Sequence, residues 1–77
     1  MYKKGTVLVR VRVNEWSSIG IGSIVRLEET APSKYENCMV TRLKTVELPG
    51  YSAPTDIKQR VNLGDFIPIQ ILKRKEL

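Results

Sequence analysis

The chain has 77 residues, 42% hydrophobic and 27% charged, with thirteen Lys and Arg against eight Asp and Glu, a net charge of +5, no histidine and one cysteine. A chain this short supports one core, so a single domain over residues 1–77 is expected, with 73–77 as a charged tail. The lack of histidine and of a second thiol leaves no material for a disulfide framework, a Cys/His zinc site or histidine acid–base chemistry; no enzyme, cofactor or metal site is expected.

Val7 to Asn14 reads Val-Leu-Val-Arg-Val-Arg-Val-Asn, with valine at every odd position. Period-two alternation of β-branched residues is a strand signal, and it assigns the valines to the core face and Arg10 and Arg12 to the solvent face. Glu15 to Gly22 holds two serines and two glycines and reads as a loop carrying Trp16 and Ile19 over one end of the fold. Ser23 to Glu29 resumes as a second strand, and Thr30-Ala31-Pro32-Ser33 breaks it.

The stretch from Lys34 to Leu48 reads two ways. Ser33 with Glu36 forms a capping box, and Tyr35, Cys38, Met39, Leu43 and Val46 fall near helical spacing, which gives a helix over about 34–47 and an α+β fold. Val40 to Val46 is also rich in β-branched residues, which favours a strand with Met39, Thr41 and Leu43 on one face and Arg42 and Lys44 on the other. Pro49 to Pro54 is turn material. Thr55 to Val61 has an N-cap candidate, an early acid, late bases and Gly64 beyond its end, which predicts a short helical turn. Ile67, Ile69 and Ile71 alternate as a last strand, and Pro68 assigns it to a sheet edge or a bulge.

Three or four short strands punctuated by Gly and Pro, with one short helical turn, predict a mainly β fold built on a small, strongly bent sheet. Gly22-Ser23-Ile24-Val25-Arg26-Leu27, then a Pro/Ser/Asn loop, then Cys38-Met39-Val40-Thr41-Arg42-Leu43 resembles the paired strands of SH3-like small β-barrels, including Tudor and KOW types. The resemblance covers about half the chain. It implies a barrel that binds peptides or nucleic acid rather than catalyses. The chain departs from the KOW pattern in lacking a glycine within the strand, and from signalling SH3 domains in lacking an acidic and aromatic peptide groove.

Arg10, Arg12, Arg42 and Lys44 are together expected on an exposed basic sheet face, extended by Lys58, Arg60 and Lys73-Arg74-Lys75. Phosphates reward such a face through counterion release. Tyr35 and Tyr51 are the aromatic residues available for contacts, while Trp16 and Phe66 are assigned to packing. Glu28-Glu29 reads as a solvated strand end and Cys38 as a small buried hydrophobe. The expected function is a non-enzymatic basic domain contacting nucleic acid through that face.

The alternative is a protein-interaction module, a compact regulator or inhibitor docking on an acidic protein surface. It uses Tyr51 and the edge strand Ile67, Ile69 and Ile71. A third possibility is a homo-oligomer whose limited core is completed by a partner subunit. No membrane association is expected, because the longest uncharged apolar run, Phe66 to Leu72, is far short of the roughly 18 residues a span needs. With no apolar core after Lys3-Lys4 to resemble a signal peptide, a cytoplasmic location is expected.

Overall fold

The computed structural model describes residues 2–14, 17–33, 36–50 and 54–70. The expectations attached to Trp16, Tyr35, Tyr51, Ile71 and the 73–77 tail lie outside the described residues. The fold is mainly β, an open and strongly bent antiparallel sheet of five strands. These are β1 Val7–Arg10, β2 Ile24–Leu27, β3 Asn37–Lys44, β4 Lys58–Asn62 and β5 Phe66–Pro68, in the spatial order β4-β3-β2-β1-β5. A single 3-10 turn, Leu63–Asp65, links β4 to β5. The sheet does not close into the barrel that was expected as one form of the fold: among the described residues β4 and β5 are its two edges. Pro68 stands on an edge strand, where its missing N–H interrupts no ladder.

The inner face is fixed by cross-strand pairing. Leu8 stands opposite Val25, Leu27 opposite Val40, and Cys38 opposite Val61. Ile19, Ala31, Leu63 and Phe66 complete the buried cluster, and Tyr2 packs against it. Cys38 is buried as expected. Burial pushes its thiol pKa up, and Glu29 nearby adds to the effect.

Four expectations need correction. The strand predicted over Val7 to Asn14 ends at Arg10, because beyond it β1 runs out of partners: Arg10 N–H donates to Ser23 O and Val11 N–H to Asp65 O, and the chain then leaves the ladder with Val11 and Val13 exposed. The phase of that strand is also opposite to the one predicted. Leu8 and Arg10 face inward, because the larger apolar group fills the core and Arg10 finds buried partners.

Of the two readings of 34–47, the favoured strand holds, as Asn37–Lys44, since its backbone groups pair with β2 on one side and β4 on the other, but Arg42 and Lys44 do not share a face as expected. It carries a bulge: Val25 pairs with Arg42 and Ile24 with Lys44, so Leu43 has no partner and the inside–outside phase changes there. Arg42 therefore lies inside with Cys38 and Val40, and Lys44 lies outside with Ile24.

The helical turn predicted over Thr55 to Val61 is absent. Asp56 has φ 60°, its N–H donates to Arg42 O, and Arg42 N–H donates to Ile57 O, which leads the chain straight into β4. A helix this short has few internal bonds to set against a ladder already formed by β3.

Candidate functional site

Two of the three arginines expected on the solvent face are structural. Arg10 is 5% exposed and Arg42 8%. Arg10 donates from Nε to Arg12 O at 2.8 Å and from Nη2 to Ser17 Oγ at 2.9 Å, and it lies 3.4 Å from Asp65 Oδ2. Its guanidinium carbon stands 5.1 Å from the centre of the Phe66 ring. Burial lowers its pKa, and the charge of Asp65 opposes that shift.

Arg42 donates from Nε to Gln59 Oε1 and from Nη2 to Ser18 Oγ at 3.3 Å. Gln59 Nε2 also donates to Ser18 Oγ, at 3.2 Å. Adjacent serines thus each receive one buried arginine, and the loop between β1 and β2 is pinned by both. Asp65 pairs with Arg10 and with Arg12 at 3.3 Å.

A basic face does exist, composed of other residues. Residues paired across strands share a face, so the outer row Arg26, Thr41 and Lys58 adjoins Met39 with Arg60 and Ile24 with Lys44. Lys58 and Arg60 are two residues apart on β4, about 7 Å, and Arg26 lies across β3, about 10 Å from Lys58 by strand spacing. Lys58 and Lys44 are exposed and have no ion pair among the described residues.

Arg26 is bridged to Glu28 at 3.1 Å, and Arg60 to Glu29 at 3.6 Å. The hydroxyl of Thr41 donates to Glu28 Oε1 at 2.6 Å; this bond, followed by the Arg26 and Lys58 charges, holds the Glu28 carboxyl below the usual carboxylate range against a smaller desolvation effect. Glu29 accepts the Met39 N–H at 3.1 Å. The acidic pair is therefore wired into the sheet rather than simply solvated.

Arg60 also borders a cleft of about 170 Å³. Gln59, Arg60, Val61 and Asn62 line one wall, consecutive residues along the free edge of β4, and Asn14, Ser17 and Ser18 line the other. Arg10 and Asp65 complete the lining. A second cleft, of about 330 Å³, lies between the turn before β1 and the chain leaving β5, lined by Gly5, Thr6, Val7, Pro68, Ile69 and Gln70.

Of the residues singled out from sequence, Lys44, Lys58 and Arg60 come together on the outer face. Arg12 is exposed but stands beside Asp65 at the cleft side, donating also to Gly64 O. The last strand expected through Ile67, Ile69 and Ile71 ends at Pro68, so Ile67 pairs with Val9 within β5 while Ile69, also half-buried, lies beyond the strand. Arg26 was missed, although its alternation with Val25 and Leu27 placed it outside. Asn62 was missed too, and its signal required knowing that β4 is an edge.

Among the described residues no group of His, Cys, Asp or Glu is arranged to hold a metal, and no helix is long and apolar enough to cross a membrane. No family model matches the chain, and neither a curated protein nor a solved structure matches it at a significant level.

Proposed function

We propose that the chain is a small, non-enzymatic binding domain of the SH3-like kind that contacts nucleic acid through the outer face of β2, β3 and β4. The observation that carries this reading is the cluster of Arg26, Lys44, Lys58 and Arg60 on one solvent-facing sheet surface, with Lys44 and Lys58 unpaired by carboxylates among the described residues. The barrel-like part of the reading draws support from β5 returning beside β1 after a short 3-10 turn, in a meander of short strands.

Four cations neutralising four phosphates of a single strand give a slope of log affinity against log salt of about −3. The test is fluorescence anisotropy of labelled single-stranded DNA, duplex DNA and RNA at several salt concentrations. Replacing Lys44, Lys58 and Arg60 together by Glu is expected to abolish binding in a protein whose circular dichroism is unchanged. Binding that keeps its affinity in that variant, or that ignores salt, contradicts the reading.

A second reading, a protein partner held at the β5 edge, is favoured by one observation: half-buried Ile69 and Pro68 line the 330 Å³ cleft beside β1. An Ile69→Asp variant that folds but no longer captures a partner, in a protein indifferent to nucleic acid, would favour it.

A further inference from the structure

The cleft between the edge of β4 and the loop entering at Asn14 has a mixed lining of charged and neutral polar groups. Asp65 contributes a carboxylate to it, ion-paired with the guanidinium groups of Arg10 and Arg12. Arg10 and Arg60 are its cations, and its remaining side chains are neutral. Ser18 Oγ accepts from both Arg42 and Gln59, so its own O–H remains to be donated, and no acceptor for it stands among the described residues. Asn62 uses Oδ1 to cap the 3-10 turn, accepting from Gly64 N at 2.8 Å, and its amide N–H groups have no acceptor among the described residues. Arg60 lines the cleft, and its guanidinium, bonded to Asn37 O at 3.3 Å and paired with Glu29 at 3.6 Å, is a flat cation of the kind on which a ring can stack.

A volume of about 170 Å³ equals that of roughly six liquid waters, room for one heterocycle. Donors from Ser18 and Asn62, an acceptor at Asp65 and a stacking plane at Arg60 match a nucleobase edge, which offers ring nitrogens and carbonyls beside exocyclic amines. Arg60 is also a member of the outer basic row, so one residue borders both surfaces.

We propose that this cleft receives a single unpaired base of a nucleic-acid strand whose phosphates lie along Lys58 and Arg60, which makes the domain selective for single strands over duplex. The inference rests on the basic-face reading and adds to it a base-recognition site. A peptide amide offers the same mixture of donors and acceptors, but a neutral peptide lacks the regular negative charge that a row of cations attracts.

The test compares a labelled single strand with an abasic strand of the same length, which keeps every phosphate and lacks the bases, at matched salt. A roughly tenfold tighter binding of the base-bearing strand is expected, the lower part of what one stacked base contributes. An Asn62→Asp variant keeps the acceptor that caps the turn and replaces the amide donor, and it is expected to remove most of that preference while weakening both strands through its charge. Equal binding of the two strands with a steep salt slope, or tighter binding of duplex, overturns the cleft inference and leaves the basic face standing. Absence of binding by either strand overturns both.

Discussion

Arg10 illustrates how far residue type is from residue role. A guanidinium that is 5% exposed is tolerated because Arg12 O, Ser17 Oγ and Asp65 satisfy it and the Phe66 ring lies against it. Removing it leaves the Asp65 carboxylate with Arg12 as its ion-pair partner and Ser17 Oγ with its bonds to Asn14. Arg10→Ala is expected to destabilise the fold by about 3 kcal/mol in urea unfolding, while Arg60→Ala on the solvent face should stay within about 0.5 kcal/mol. Equal losses from the two variants would contradict the assignment of Arg10 to the interior. The sequence shows the strand but not its phase, since a Val/Arg alternation looks the same whichever face is buried. The phase is set by Leu8 and by Asp65, which lies 55 positions after Arg10 in the chain.

Glu28 gives a second prediction at this scale. Its folded pKa is depressed, chiefly by the Thr41 hydroxyl, so its contribution to stability is present above the unfolded value near about 4.3 and is lost as pH falls through the lower folded value. Thr41→Val should move the Glu28 midpoint upward in an NMR titration and flatten the loss of stability at acid pH. An unchanged midpoint would mean that Arg26 and Lys58 set it.

At the level of elements, the sheet depends on places where chain segments pass close together, which local propensity does not reveal. Gly20 is one: its N–H donates to Val46 O at 2.7 Å, and a Cβ there would meet Val46 O at 3.1 Å and Val46 Cγ1 at 3.2 Å. The segment after β3 is also held by Ser23, whose buried hydroxyl accepts the Val46 N–H at 2.9 Å. Gly20→Ala should therefore push residues 45–48 off the turn, destabilise by about 1–2 kcal/mol and raise hydrogen exchange at Val46. Gly22 differs in kind, because its φ of +93° strains any side chain while Val46 Cγ2 lies at an ordinary 3.6 Å.

Strand existence was legible wherever β-branched residues alternate, as in β1, β2 and β3. β4 was not: Thr55, Asp56, the late bases and Gly64 carry every local mark of a short helix, and only the bonds from Arg42 to Ile57 and from Asp56 to Arg42 decide otherwise. The bulge at Leu43 was equally hidden, and it moved Lys44 and Arg42 to opposite faces from those they would share in an unbroken strand.

For the whole molecule, the net charge of +5 divides into two populations with different duties. Arg10 and Arg42 spend their charge inside, holding the β1–β2 loop against β4 through Ser17, Ser18 and Gln59; Lys44, Lys58 and Arg60 present theirs to solvent. Reversing Arg10, Arg12, Arg42 and Lys44 together, the set that sequence alone singles out, would mix both duties, and loss of binding would then report loss of fold. The two should separate cleanly. Arg42→Met is expected to lower the urea midpoint while the folded fraction keeps a salt slope near about −3, because no phosphate-facing cation has been removed. Lys58→Gln with Arg60→Gln is expected to keep the midpoint and reduce the slope by about 1.4, two phosphate contacts at about 0.7 each on a single strand. A slope unchanged by the second pair would place the contacts elsewhere on the molecule, whereas a slope reduced by Arg42→Met in still-folded protein would mean that the pinned loop itself touches the strand.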